Sequence, residues 1–361
     1  MKKVDKTITI DYVAKMAGVS KTTVSRYING HYEYMSSKTQ ANIKRIIEEV
    51  NYRPNKLAVG LKSQKSHMIG ILVADIKNPF SSLLISGIDK ICKKHKYNII
   101  IANADDDPNR ERESILSMLD QRVEGLIVNT TGENDELLSE CEKKGMPIVL
   151  ADRSSKNFIF DTIVVNNYDT TVKMIDHLVD NGFKNIGFFS ENVKNISPRW
   201  ERLNAFVDTY SKYLKNKNSI NDKVFFIHVD KENMIKQSIE RLLSTKTSDE
   251  RTAIFAANGV VLLSVLQGIR KINLRIPEDI GVCGYDDWGW ASLIPPGITT
   301  VSQPSQLMGM KAAQLLLARI KEEQHIKPRW VVLNANIVVR GSTDVKSSYV
   351  DSLDGEFNGK S

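Results

Sequence analysis

The stretch Thr9–Asn29, TIDYVAKMAGVSKTTVSRYIN, decides how the rest of the chain is organised. Its spacing predicts two short helices joined by a tight turn. Ala14 falls where the helices approach closely, and a larger side chain there would push them apart. Gly18 opens the turn, where a positive φ is often needed and glycine adopts it freely. Ser20 is placed to cap the second helix, its hydroxyl accepting from free backbone N–H groups. Val19 and Val24 give that helix an inner face. Its outer face carries Lys21, Thr22, Thr23, Ser25, Arg26 and Asn29, a set of donors and short polar groups suited to the major groove of DNA.

Charge is distributed to match. Residues 1–67 hold 13 Lys+Arg and 5 Asp+Glu out of 50 and 43 in the chain, so the other 294 residues carry 37 basic and 38 acidic groups. The whole positive excess lies in the N-terminal segment, which favours phosphate backbones and salt-dependent binding. At 361 residues and 41% hydrophobic content the chain is globular and long enough for two or three domains. It has no run of eighteen apolar residues and no apolar leader at its N-terminus, so a cytoplasmic protein away from membranes is expected. Cys92, Cys141 and Cys283 are far apart and odd in number, and none has zinc spacing with histidine. Reduced, buried thiols and no metal are expected.

The N-terminal module continues outward from this stretch. A loop with Tyr32 and Tyr34 leads to Ser36, which caps a third helix with Ile43, Ile46, Ile47 and Val50 at helical spacing. After Pro54, residues 55–62 have the length of two helical turns. Gly60 and Val59 weaken them, so the segment is either a flexible linker or a helix formed on a partner. Leu61, flanked by Lys62 and Lys65, suits a wedge between base steps of the minor groove. From Met68 the rhythm changes to short apolar runs alternating with helices, the pattern of a parallel, doubly wound sheet. The pattern recurs in a second block. The expected fold is thus an all-α helix-turn-helix domain plus an α/β core of two doubly wound parallel-sheet subdomains. The expected boundaries are 1–53, a linker at 54–67, and a core at 68–341. Within the core, about 68–161 joins 295–324, and 162–294 joins 325–341. Residues 342–361 form a polar tail.

In open α/β sheets ligands bind beyond the carboxyl ends of strands. The residues following the expected strands include Asn129, Asp152-Arg153, Asn258 and Asp286-Asp287-Trp288, with Phe80, Arg199 and Arg202 at the starts of helices. Asn, Asp and Arg supply fixed donors and acceptors, and Phe80 and Trp288 supply flat apolar faces. Together they suit a small, polar, sugar-like ligand. Any one Asp or Asn after a strand serves equally well as a helix cap. No phosphate-binding loop, nucleophile elbow or zinc-protease motif is present, so binding rather than catalysis is expected and no cofactor is called for.

These strings together resemble the LacI/GalR family of bacterial transcriptional regulators from Thr9 to about Gly341. The resemblance is carried by VAKMAGVSKTTVSRYING, YRPN with LAVGL, IGILVADIKNPF, VEGLIVN, RWERLNAF, IGVCGYDD and PPGITTVSQP. It implies that Lys21, Thr22 and Arg26 read bases, and that Thr23, Ser25 and Asn29 touch the DNA backbone. It makes Leu61 the hinge leucine at the centre of a palindromic operator. It places Phe80, Asn129, Asp152, Arg202, Asn258 and Asp286 around an effector. Three positions depart from the family pattern: Tyr12 stands where Asp is usual, Val59 where Arg is common, and Gly259 where Asp is frequent.

The resulting expectation is a homodimeric, effector-controlled regulator, a repressor of a carbohydrate-use operon, bound to a near-palindromic operator. No leucine heptads of the kind that build tetramers occur in the tail. Arg153, Arg199 and Arg202 make a sugar acid the first choice of effector, since arginine pairs bidentately with carboxylates. RWERLNAF also resembles the ketodeoxygluconate-type regulators, and a neutral sugar is the next choice. Competing possibilities are a regulator answering to a protein corepressor, a solute-binding protein, and a sugar-processing enzyme with an appended DNA-binding domain.

Overall fold

The computed structural model describes residues 8–52, 66–156, 158–214, 217–247, 250–321 and 327–344. The chain divides into two units, Met1–His67 and Met68–Ser361. Leu61, the 55–62 linker and the tail beyond residue 344 lie outside the described residues.

In the first unit, α1 (Ile10–Ala17), α2 (Lys21–Ile28) and α3 (Ser37–Glu49) enclose a small core of Val13, Ala14, Ala17, Val24, Ile43 and Ile46. All three helices begin at hydroxyl caps. Thr9 Oγ1 accepts from Tyr12 N, Ser20 Oγ from Thr23 N and Ser36 Oγ from Thr39 N, at 3.3, 3.1 and 3.2 Å. Each cap satisfies a backbone donor that the helix itself leaves unpaired. Gly18 ends α1 at φ +66°, the left-handed conformation that turns the chain into α2.

The second unit contains two six-stranded sheets. Its elements run β1 (Met68–Val73), α4 (Pro79–Lys94), β2 (Asn98–Asn103), α5 (Pro108–Asp120), β3 (Leu126–Val128), α6 (Asp135–Lys143), β4 (Ile148–Ala151) and β5 (Asp161–Val165). Then come α7 (Asn167–Asp180), β6 (Phe183–Ser190), α8 (Ser197–Tyr210), β7 (Val224–Phe226), α9 (Glu232–Ser244), β8 (Arg251–Ala256), α10 (Gly259–Lys271) and β9 (Gly281–Tyr285). The last four are β10 (Thr299–Ser302), α11 (Ser305–Lys321), β11 (Trp330–Leu333) and β12 (Asn336–Val338). The first sheet, in order β11-β5-β4-β3-β1-β2, is wholly parallel; the second, β12-β10-β9-β8-β6-β7, is parallel except for the antiparallel pair β10–β12. Central strands such as β3, β4 and β9 are buried throughout, as strands covered by helices on both faces must be. Helices α4 and α11 cross at backbone contact. A Cβ on Gly87 would collide with the Gln306 carbonyl, and one on Gly309 with the Leu84 carbonyl.

The expected subdomain boundaries need correcting at three places. Strand β5, expected to open the second block, pairs with β4 in the first sheet. Residues 299–302, expected to return to the first subdomain, form β10 beside β9 in the second. Trp330–Leu333, expected in the second, pairs with β5 in the first. The chain therefore crosses between subdomains after β5, after β10 and after β11. A buried apolar run signals a covered strand without saying which neighbour completes its ladder, and these three runs lie at crossovers. The polar tail also starts later than expected. Ser342 and Thr343 are fully buried: Ser342 Oγ donates to the Val282 carbonyl at 2.6 Å, and Thr343 Oγ1 lies 2.8 Å from His177 Nε2. Their hydroxyls complete hydrogen bonding within the second subdomain, which polarity alone does not disclose.

Candidate functional site

On the first unit, Lys21, Thr22, Arg26 and Asn29 are exposed and Thr23 and Ser25 half-buried. Their internal partners sort them. Lys21 Nζ lies 2.9 Å from Asp11 Oδ2, a pair exposed on both sides. The Arg26 guanidinium stands over the Tyr34 ring, 5.7 Å from its centroid. Thr23 Oγ1 lies 2.8 Å from Ser20 Oγ, and Asn29 Nδ2 donates to the Ser25 carbonyl at 2.9 Å. Thr23 and Asn29 are thus tied to their own helix, while Lys21 and Arg26 are lightly held and free to reach outward. Tyr34 was read from the sequence only as a loop aromatic; its place beside Arg26, like that of Asp11 beside Lys21, comes from the fold.

In the second unit, the carboxyl ends of both sheets meet around a cavity of about 110 Å³. Phe80, Asp106, Asn129, Asp152 and Arg153 come from the first subdomain; Glu191, Arg199, Arg202, Asn258, Asp286 and Gln303 come from the second. Eight of the nine residues expected in the cleft line it. Trp288 does not. Its ring packs over the first turn of α10, so close to Gly259 that a Cβ there would meet it at 2.6 Å. The family departure at Gly259 and the withdrawal of Trp288 are one feature, because glycine leaves the space that the indole fills.

Arg202 is the most heavily tied of the lining residues. Its Nε donates to Asn167 Oδ1 at 2.9 Å, Nη1 to the Ala257 carbonyl at 2.7 Å and Nη2 to Gln303 Oε1 at 3.1 Å. Its guanidinium stacks 3.6 Å from the Tyr285 ring centroid. Asn167 follows the first crossover and Gln303 occupies the second, so this one side chain holds two of the three connections between subdomains. Gln303 continues the chain by donating to Asp286 Oδ1 at 2.6 Å, and Asp286 Oδ2 accepts from Gly259 N at 2.9 Å. Asn258 is a cap as well as a wall. Its Oδ1 accepts from Val261 N, and its Nδ2 donates to Glu191 Oε2, at 2.9 and 3.0 Å.

Arg153 and Arg199 approach from opposite subdomains. Arg153 Nη1 donates to Asp106 Oδ1 at 2.8 Å and to the Thr130 carbonyl at 3.1 Å. Fully buried Glu111 steadies that carbonyl's loop by accepting from Thr131 N and Asn134 Nδ2, at 3.0 and 2.8 Å. Arg199 Nη2 lies 2.7 Å from Glu191 Oε2 and 3.8 Å from Asp106 Oδ2. Burial works against ionisation of Asp106, but Arg153 and Arg199 outweigh it and hold its carboxyl below the usual range. Asp152 goes the other way. Burial, helped by nearby Asp286, raises it despite Arg202, Arg153 and a 3.3 Å hydrogen bond from Asn129. Asp152 and Asp286 both adopt left-handed φ, +69° and +75°, each just beyond a strand end. The acidic run Asp105–Asp107 is occupied otherwise than by a metal. Asp105 pairs with Lys77 and Arg110, Asp106 with Arg153, and Asp107 caps α5. Glu191 and Gln303 were missed from the sequence, although Glu191 directly follows β6 and the strand-end rule would have found it.

A three-helix module with a donor-rich second helix, followed by a paired α/β core closed around a polar cavity, defines a ligand-controlled DNA-binding regulator. Family models agree: residues 9–55 match the bacterial regulatory proteins of the lacI family, and residues 175–343 match the periplasmic binding protein-like domain. The HTH-type transcriptional regulator KdgR of Bacillus subtilis is 38% identical over 334 residues, covering 92% of this chain and 97% of the relative. The HTH-type transcriptional regulator PtxS of Pseudomonas aeruginosa is 33% identical over 336 residues, covering 93% and 96%. Among solved structures, the lac repressor dimer bound to operator and the anti-inducer ONPF has a TM-score of 0.77 at 25% identity, covering 94% of this chain and 99% of that one. The chain belongs to the LacI family and is a DNA-binding transcriptional regulator rather than an enzyme.

Proposed function

We propose that this regulator acts as a homodimeric repressor of a carbohydrate-use operon and that its effector is a sugar acid held in the cleft. The convergence of Arg153, Arg199 and Arg202 on one small cavity carries the proposal. A guanidinium in a water-poor site binds a carboxylate with two parallel charge-assisted hydrogen bonds, while Asn129, Asp152, Asn258 and Asp286 accept from or donate to hydroxyls. The resemblance of RWERLNAF to ketodeoxygluconate-type regulators and the overall similarity to KdgR support the same class. Phe80 supplies the apolar face on which a carbon skeleton rests. Support for a dimer comes from the edge strands β2 and β7, which carry exposed Ile101 and Phe226, and from the dimeric lac repressor structure. Lys21 and Arg26 would read one half-site in each protomer, and Leu61 would wedge the central step.

One observation favours a neutral sugar instead. Carboxylates outnumber guanidinium groups around the cavity, with Asp75, Asp106, Asp152, Glu191 and Asp286 against three arginines. Calorimetry with D-gluconate and 2-keto-3-deoxy-D-gluconate against neutral hexoses separates the two. Tight binding by acids alone is expected; tight binding by neutral hexoses alone rejects the sugar-acid effector.

A further inference from the structure

The excess of carboxylates around the cavity has a local structure. Arg153 and Arg199 stand on opposite subdomains, their side chains only 11% and 13% exposed. Between them lies Asp106, 2.8 Å from one and 3.8 Å from the other, and 38% exposed. Burying two guanidinium groups side by side is costly unless an anion lies between them. Asp106 is the anion the two arginines share, with Glu191 also on Arg199.

We propose that Asp106 is a built-in stand-in for the effector's carboxylate: it occupies the Arg153–Arg199 pair until a sugar acid displaces it, and thereby sets how strongly acids are preferred over neutral sugars. This rests on the sugar-acid effector proposed above. Three features fit a displaceable anion rather than a fixed strut. Asp106 is the most exposed member of the trio, so its side chain leaves toward solvent without breaking packing. Its backbone holds a left-handed φ of +52°, next to Asp105 at +57°, and is anchored by its N–H donating to the Ala74 carbonyl at 2.7 Å. The loop therefore stays in place when the carboxylate swings away. Both arginines keep other partners meanwhile, Arg153 the Thr130 carbonyl and Arg199 Glu191, so neither is stranded during the exchange. A neutral sugar has no group that compensates the pair and would leave Asp106 where it is. An acid brings its own negative charge, competes with Asp106 for the same donors, and is repelled by it until it moves.

The test compares Asp106→Asn and Asp106→Glu with the wild-type full chain by calorimetry, using 2-keto-3-deoxy-D-gluconate, D-gluconate and D-glucose, with thermal unfolding as a folding check. Asp106→Asn removes the competing charge while keeping size, so the acid-over-neutral affinity ratio should rise about tenfold, the order expected from removing one partly screened like charge. Asp106→Glu, which keeps the charge, should stay near the wild-type ratio. Equal weakening of acid and neutral ligands in Asp106→Asn would make Asp106 a plain inter-subdomain strut and overturn the inference. An unchanged or lowered ratio would overturn it as well. Should the wild type bind D-glucose and neither acid, the sugar-acid effector itself fails and this inference with it, an outcome visible before any variant is made.

Discussion

Arginine is held in opposite ways in the two functional regions. On the recognition helix, Arg26 is exposed and its guanidinium rests loosely over the Tyr34 ring, 5.7 Å from the centroid. In the cleft, Arg202 is 4% exposed, stacks 3.6 Å from Tyr285 and donates to three oxygens on separate segments. Arg26 thus keeps its donors uncommitted, as a group that is to be claimed by DNA would. The cleft commits its donors in advance, so that a small ligand bound there would lose little in ordering them and would act on the crossovers they grip.

The sharpest way to break this comparison is to remove Arg202. Arg202→Leu should weaken binding of the effector by about a hundredfold or more, because it leaves the side-chain oxygens of Asn167 and Gln303 and the Ala257 carbonyl without their donor. Calorimetry checks this, and loss of less than about fivefold would put Arg202 outside the ligand contact. Thermal stability should fall too, as two crossovers lose their common tie.

The next effect concerns a lock remote from ligand. Asp161, with a fully buried side chain, accepts from both Arg319 and Arg329 and ties the start of β5 to α11 and to the approach to β11. Burial alone would raise its carboxyl, but the hydrogen bonds from the two arginines outweigh it and hold it below the usual range. A carboxyl depressed in the folded state stabilises above its unfolded value near pH 4, and that stability is lost as pH falls through the lower folded value. Asp161→Asn should cost about 3 kcal/mol near neutral pH and flatten the loss of stability below about pH 4, as followed by denaturant unfolding across pH. Equal acid sensitivity in the variant would show that other carboxylates dominate.

Smaller effects belong to the reader. Arg26→Ala should cost about 1–3 kcal/mol of operator affinity and relax preference at one base position. Uniform weakening across operator variants would reduce Arg26 to a phosphate contact. Tyr34→Ala should cost about 0.5–1 kcal/mol, the worth of an exposed cation–π contact that aims Arg26. Competition binding with operator variants measures both, and a Tyr34 effect as large as that of Arg26 would mean the ring touches DNA itself.

The same contrast explains what could be read from the sequence. In the reader, function follows from local spacing: Thr9, Ser20 and Ser36 cap, Gly18 turns, and the outward residues of α2 are set by helical geometry. Along the core, the strand-end rule found the cavity wall because parallel sheets place their carboxyl ends together. It did not find Gln303, which lies past a strand mistaken for a crossover. Trp288 was misplaced because an aromatic after a strand has two ways to turn, and the space beside Gly259 decided between them. Sheet membership of β5, β10 and β11 was hidden because nothing within four or five apolar residues names the strand they will join.

Communication between the two regions is tested most directly by linkage. An operator duplex selected by the protein from a random-sequence pool is titrated with and without 2-keto-3-deoxy-D-gluconate, and the acid is titrated with and without that duplex. A ligand that controls DNA binding must change operator affinity and have its own affinity changed by the same factor. The expected result is a matching factor of about fivefold or more in both directions. Identical acid affinity with and without operator would contradict control of the reader by the cleft.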